Sequence, residues 1–383
     1  MKILIVHNNY GKYSGEEAVV DKMADMLTSH GHEVAFYRRT TEGVRESAVG
    51  KIKGFLSGIY SSSGVRGMWD ALRRERPDVV NVHNLYPFIS PAALFECKKS
   101  GVPVVMTIHN FRLICPTGLF MRDGLPCEVC LERGNEWSCV RYNCECNRLK
   151  SIGYTLRNVY ARWTGAYRKN VAAFACITDF QRQKLIAAGY EAERVTVIPN
   201  GIDAPTSYDL TGGNYVAYIG RLSYEKGYDL LIEVARRNPS IPFRFAGAKR
   251  EQSDMEIPGN VEFMGYLQKE ELSDFICHSR FVVMPSRCYE GFPMAILEAA
   301  CYGKPTIGPA HGGFTEIIGR GEQAIGALFD PNSLDDLERK VVSLWNRPDE
   351  IARLGEKAFE KLKREYSSEV IYQKWDNLFQ KLV

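Results

Sequence analysis

The sequence predicts an α/β protein made of two doubly wound domains. Short apolar runs alternate with helix-length amphipathic stretches from end to end. The runs are nearly continuous in Val, Ile and Leu, as strands are when helices cover both faces of a parallel sheet. The pattern lapses once, over residues 200–214, which are rich in Gly, Pro, Thr and Ser, and then restarts. At roughly 100–200 residues per domain, 383 residues agree with two.

Strands are expected over 2–7, 34–37, 79–83, 104–109, 173–178 and 196–199, with helices over 16–29, 67–75, 91–100 and 179–188. After the lapse, strands are expected over 216–219, 244–246, 261–264, 281–284, 306–307 and 327–329. The helices of that half fall over 228–237, 269–278, 294–302 and 334–344. Domains are therefore expected over 1–200 and 201–365. A last helix within 366–383 crosses back to the first domain. No internal repeat is visible, so the halves share architecture only. Open parallel sheets bind ligands at the carboxyl ends of their strands. Two such domains facing each other form a cleft able to close over a substrate and exclude water.

Composition narrows the class. With 45% hydrophobic and 25% charged residues, 33 Gly and 17 Pro, the chain is neither disordered, collagen-like nor coiled-coil. No apolar run approaches the ~18 residues that span a bilayer. The opening MKILIV turns polar at His7, which predicts a first strand rather than a signal peptide. The expected location is cytoplasmic, or peripheral on the cytoplasmic face of a membrane. The net charge of +3 divides unevenly. Residues 1–200 hold 27 basic and 19 acidic residues, a balance of +8, and the remainder is −5. Such asymmetry points to an anionic partner on one side.

Four segments carry chemistry. Glu290 to Glu298 (EGFPMAILE) follows the strand FVVMPS and opens a helix. First-turn amides there form a phosphate seat, and a carboxylate on each side can accept sugar hydroxyls. An acidic turn and a surface Glu would look the same. Arg221 and Lys226 lie in GRLSYEKG after the strand VAYIG, where Arg can fork across phosphate oxygens and Lys adds a point charge. Either could be a solvated loop cation, but both segments predict one anion in one crevice. Gly15, in YSGEE after the first strand, permits close backbone approach to a ligand. It belongs to neither a GxGxxG nor a Walker A loop. His109, in TIHN, and His83 with Asn84, in VNVHN, end strands where an imidazole can meet a substrate hydroxyl or serve the structure alone.

Together, SGEEAVV, VNVHN, TIHN, VIPNGID, YIGRLSYEKG, FMGYL, the Glu-x7-Glu stretch and GGFTEII resemble retaining family 4 glycosyltransferases of the GT-B fold over nearly the whole chain. The resemblance implies two Rossmann-like domains facing across a cleft and a nucleotide-diphosphate sugar as donor. By the same resemblance Arg221 and Lys226 bind its diphosphate, Glu290 the transferred sugar, and Glu298 the ribose. Leu267 meets the base through its backbone, His109 touches the sugar, and Gly15 passes near donor phosphate and acceptor. No catalytic metal or organic cofactor is implied, and the expected route is front-face attack assisted by the leaving phosphate. The sequence departs from the family at Ser14, where a glycine is usual, and at Pro293. Pro has no N–H to give, so the phosphate seat falls to Phe292, Met294 and Ala295. His83 and Asn84 are acceptor-side candidates. The product is a hexose-type sugar on a glycan acceptor carried by a lipid diphosphate, with no nucleic-acid partner. A sugar-nucleotide epimerase, a phosphorylase and a non-catalytic binding module are the rival readings.

Six of the eleven cysteines lie within 115–146. A subset of the family carries a similar insert, here 111–147. Cys115, Cys127, Cys130 and Cys144 are the expected ligands of a structural zinc, with Cys139 and Cys146 as substitutes. Residues 148–170 carry six Lys or Arg and no acid, with Leu149, Ile152, Leu156, Val159, Trp163 and Tyr167 spaced by three and four. This predicts a basic amphipathic helix. Its stripe packs on the sheet, while its positive face is suited to an anionic membrane surface.

Overall fold

The computed structural model describes residues 1–10, 15–42, 48–208, 212–249 and 255–383. The chain folds into two compact units. One holds Met1–Phe120, Glu128–Pro199 and Tyr372–Val383. The other holds Met121–Cys127 and Asn200–Ile371.

The first unit runs β1 (Lys2–Asn9), α1 (Gly15–Ser29), β2 (Glu33–Thr40), α2 (Ala48–Ile59), α3 (Ser62–Glu75), β3 (Val79–Asn84), α4 (Leu94–Lys99) and β4 (Val104–Ile108). The insert follows. It holds only two short strands, β5 (Met121–Arg122) and β6 (Leu125–Pro126), and two one-turn helices, α5 (Val129–Glu132) and α6 (Ser138–Arg141). The unit continues through α7 (Arg148–Thr164), α8 (Ala166–Asn170), β7 (Ala173–Cys176), α9 (Asp179–Ala187) and β8 (Val195–Val197). Its sheet is parallel, in the order β2-β1-β3-β4-β7-β8. Ile3, Leu4, Ile5 and Val6 are wholly buried, which is why β1 reads as an unbroken apolar run. Helix α3 starts earlier than its apolar pattern implies because Ser61 caps it, accepting from the Gly64 amide. Gly165, at φ +70°, ends α7 in the left-handed conformation that spares a side-chain clash.

The second unit contains β9 (Val216–Ile219), α10 (Tyr228–Arg237), β10 (Phe243–Ala246), β11 (Val261–Gly265), α11 (Lys269–Cys277), β12 (Phe281–Val283), α12 (Met294–Ala300), β13 (Thr306–Pro309), α13 (Gly313–Ile318), β14 (Gly326–Phe329), α14 (Leu334–Trp345) and α15 (Pro348–Lys361). Its sheet is also parallel, in the order β11-β10-β9-β12-β13-β14. Val216, Tyr218, Phe243, Phe245 and Phe281 pack under Leu231 and Ile232 of α10 and Leu337 and Val341 of α14. On the opposite face Ala217, Ala246 and Val282 meet Phe275 and Ile276 of α11 and Ala299 of α12. Both faces are therefore covered. The strand order reverses between β1 and β3 in one sheet and between β9 and β12 in the other, and crevices for ligands open at such points.

The last helix, α16 (Ser368–Gln380), begins among residues of the second unit and ends in the first. There the Tyr372 ring stacks on His30 at 3.6 Å and its hydroxyl bonds His32 Nε2 at 3.1 Å. Trp375 and Phe379 are buried. No helix among the described residues is long and apolar enough to cross a membrane. Truncating Phe379 to Ala is expected to cost about 3–5 kcal/mol of unfolding free energy, read as a lower urea midpoint. An unchanged midpoint would mean that α16 does not belong to the core of the first unit.

Candidate functional site

In the second unit the chemistry gathers where β9 and β12 end. The loop after β9 is held by Tyr218, whose hydroxyl donates to the Arg221 carbonyl at 2.7 Å. A turn over Tyr224–Lys226 closes at Gly227, at φ +69°. A Cβ on Gly227 would stand 1.9 Å from the Pro285 carbonyl, so only glycine lets this turn sit against the exit of β12. That contact delivers Lys226 to Glu290. The ammonium pairs with Oε1 of the carboxylate, and Ser286 donates to the same oxygen at 3.0 Å. Oε2 carries no hydrogen bond among the described residues. The Glu290 carbonyl also accepts from the Gly313 amide at 2.9 Å, which ties the loop to the start of α13.

The two side chains of the pair are 20% and 14% exposed, so the charges attract through little water. Burial, the largest single influence, would raise the Glu290 pKa, but the charge and hydrogen bond of Lys226, with Ser286 and Arg221, together hold the carboxyl below its ordinary value. Burial is likewise the largest influence on Lys226 and would lower it, but opposing interactions, chiefly the charge and hydrogen bond of Glu290, together hold the ammonium. Arg221 stands exposed beside them, 3.3 Å from Glu225. Arg287 is committed elsewhere, forked onto Asp229 at 2.5 and 2.6 Å and stacked over Tyr224.

The other expected residues of this half fall as follows. Met294 and Ala295 open α12, and Pro293 stands before them with no side-chain cap. Phe292 is buried, its ring edge-on to Tyr366 at 5.6 Å. Glu298 lies half-buried further along α12. Leu267 follows Gly265, which has φ +74°, and its side chain packs on the core, leaving its backbone at the end of β11. His311 escaped the sequence reading. Its ring lies edge-on to Tyr289 at 5.3 Å, and both ring nitrogens are buried without a hydrogen bond among the described residues. Burial pushes its pKa down, so it is neutral at neutral pH.

In the first unit three histidines end three adjacent strands. His83 Nδ1 and His109 Nε2 are 2.8 Å apart, and the rings stack. His7, at a bulge where β1 pairs with β3, packs edge-on against His83. Burial pushes His7 and His109 down to about 4, and His83 falls well below its ordinary value. All three are therefore neutral at neutral pH. Asn84 is fully occupied. Its amide donates to the Asn8 carbonyl at 2.9 Å and its oxygen accepts from the Tyr86 amide at 3.0 Å. Gly15 opens α1 with nothing within 4 Å of where a Cβ would stand. Ser14 lies outside the described residues.

The sequence reading also missed Tyr10, Glu16 and Arg112. The Tyr10 hydroxyl donates to Glu16 Oε2 at 3.2 Å and lies 3.4 Å from Arg112 Nη1. Glu16 Oε1 stands 3.9 Å from His7 Nδ1. A signal was present. Val6-His7-Asn8, Val82-His83-Asn84 and Ile108-His109-Asn110 repeat one tripeptide at three strand ends, of which only the last two were used.

Among the described residues no three His, Cys, Asp or Glu side chains are gathered to hold a metal. Cys139 hydrogen-bonds Cys144 and feels Cys115 and Cys130, while Cys127 ends the β5–β6 segment that belongs to the second unit.

Two parallel-sheet units carrying these strand-end loops define a GT-B-type α/β protein. Two solved structures share the fold. Anabaena HepE, in complex with UDP and glucose, superposes with a TM-score of 0.70 at 16% identity over 100% of both chains. Sucrose-phosphate synthase from Thermosynechococcus elongatus does so at 0.73 and 15%, over 100% of this chain and 98% of its own. Residues 13–205 match the model of Glycosyltransferase Family 4, and 207–361 match that of Glycosyl transferases group 1. The first match spans half the chain, which belongs to that glycosyltransferase family. A Klebsiella pneumoniae protein described as an uncharacterized 42.6 kDa protein in the cps region is 26% identical over 90% of this chain and 96% of its own. The O-antigen chain mannosyltransferase C of Escherichia coli is 25% identical over 46% of this chain and 48% of its own.

Removing one member of the Lys226–Glu290 pair strands a largely buried charge. Lys226→Met is expected to cost about 3–5 kcal/mol, and adding Glu290→Gln to recover most of it. A double-variant loss equal to the sum of the two single losses would show the two side chains to be uncoupled. The Glu290 pKa lies below its unfolded value, so its pairing stabilises the fold above that unfolded value. The contribution is lost as the pH falls through the folded one.

Proposed function

We propose that this protein is a retaining glycosyltransferase. It moves a hexose-type sugar from a nucleotide-diphosphate sugar to a glycan acceptor carried on a lipid diphosphate, in polysaccharide or glycoconjugate synthesis at the cytoplasmic face of a membrane. The observation that carries the reading is the Lys226–Glu290 pair at the strand-order reversal, with Arg221 exposed beside it. Lys226 and Arg221 supply fixed positive charge where a diphosphate would depart, and pre-placed charge of this kind is worth most while a leaving group develops its own. Lys226 and Ser286 occupy Oε1 of Glu290, which leaves Oε2 to accept a sugar hydroxyl. Glu298 takes the ribose hydroxyls, the Leu267 backbone meets the base, and the open amides of Met294 and Ala295 face the phosphates.

In the first unit, neutral His109 offers one ring nitrogen to the transferred sugar while His83 holds the other. No carboxylate is placed as a dedicated nucleophile in this scheme. The acceptor hydroxyl attacks from the face the diphosphate leaves, and its proton passes to the departing phosphate oxygen. The cations carry the diphosphate charge without recruiting a metal. The O-antigen relative supports the acceptor class, and the UDP and glucose of HepE support the donor class.

The test offers labelled UDP- and GDP-hexoses with a bacterial lipid-linked glycan extract and reads the anomeric configuration of the product by NMR. Transfer with retention is expected, and Lys226→Ala should lower kcat by about 10²–10³-fold. An inverted product, donor turnover that needs no acceptor, or full activity in the variant would each overturn the proposal.

A further inference from the structure

Helix α7 is turned inside out. Its buried side carries Ser151, Gly153, Thr155, Arg157 and Asn158, whereas Leu149 and Trp163 are 73% and 83% exposed. The insert explains the inversion. Residues 111–147 hold little regular structure, so many of their carbonyls need outside donors. Helix α7 supplies them. Asn158 donates to the Arg112 carbonyl at 2.7 Å, Arg157 to that of Pro116 at 2.7 Å, and Thr155 to that of Glu136 at 3.3 Å. With its polar side turned inward, the apolar stripe must face out.

Helix α2 covers only the middle of that stripe. The Phe55 ring lies where a Cβ on Gly153 would be, and Tyr60 meets Tyr160 edge-on at 6.4 Å. Leu56 and Tyr60 are themselves more than half exposed. Leu149 and Trp163 are fourteen residues apart, roughly 21 Å along the axis at 1.5 Å per residue. Scattered single apolar residues are ordinary on a surface, but four along one helix pair whose polar side is buried are not.

The exposed charge at the start of α7 is positive. Arg157 is buried, Arg162 is paired with Glu136 at 3.0 Å, and Arg168 is bonded to the carbonyls of Ala188 and Gly189. Arg148 and Lys150 are exposed and make no ion pair among the described residues. They occupy the first turn of α7, which holds no acid. The helix dipole opposes cations there by about 0.3–1 kcal/mol each, and the acid that feels Lys150 is Glu145, ahead of the helix.

We propose that the outer face of α7, with Leu56 of α2 and Tyr60 just beyond it, docks on an anionic lipid bilayer. Leu149 and Trp163 enter the headgroup boundary while Arg148 and Lys150 meet the lipid phosphates. A second copy of the chain fits less well, because a two-fold pairing of this face would bring its cations together. The docking face stands without the transfer reading, which only supplies its use by bringing a lipid-carried acceptor within reach.

Sedimentation with phosphatidylcholine vesicles, with and without phosphatidylglycerol, tests it at low salt. Binding is expected only with phosphatidylglycerol, with a blue shift of tryptophan emission that Trp163→Phe removes. Leu149→Ser/Trp163→Ser and Arg148→Glu/Lys150→Glu should each weaken the partition at least about tenfold, with an unchanged melting temperature because these side chains are exposed. No binding, or undiminished binding by the Ser variant, would overturn the proposal. So would self-association, seen by light scattering, that the Ser variant abolishes.

Discussion

A parallel strand covered on both faces has little place for a charge or an imidazole until it runs out. Up to that point, a charge or an imidazole would lie among Val, Ile and Phe with nothing to bond. In both units the polar groups therefore collect at carboxyl ends: His7, His83 and His109 in one, and Lys226, Ser286 and Glu290 around the ends of β9 and β12 in the other. The reversal of strand order keeps neighbouring helices from covering those ends. The same constraint that stabilises the sheets thus sorts the chemistry to one edge of each.

The two edges are built on opposite electrostatic terms. In the second unit, like burial acts on unlike charges, and the pair survives because charge and hydrogen bonding together outweigh desolvation. In the first unit burial acts on three imidazoles without a strong counter-charge, and they remain neutral. A neutral ring both gives and takes a hydrogen bond, which suits hydroxyls. A held ammonium beside an exposed guanidinium suits an anion.

Much of this was legible in the sequence, for local reasons. A run such as ILIV must be buried on both sides wherever it lies, so strands and their alternation with helices could be read directly. Arg221, Lys226 and Glu290 were legible because their loops follow such strands. What escaped depended on what a residue faces. The stripe of α7 announces a helix, but which side turns inward is decided by the bare carbonyls of 111–147, which no periodicity records. Arg157 counts as a surface charge in a tally of the helix, yet it is buried against Pro116. Helix α15 was missed because 348–361 opens with Pro and acids, a good helix start that reads as a linker when only apolar runs are followed.

The division of α16 bears on the order in which the chain can be completed. The first unit holds residues up to Pro199, but its buried Trp375 and Phe379 come from a segment that follows the second unit. During synthesis the whole second unit is made between those two contributions. At about 5–20 residues per second, the first unit waits roughly 10–30 s for its final aromatic side chains. Through that interval the apolar surface they cover stays exposed on the nascent chain. The wait also places completion of the first unit after the second has emerged.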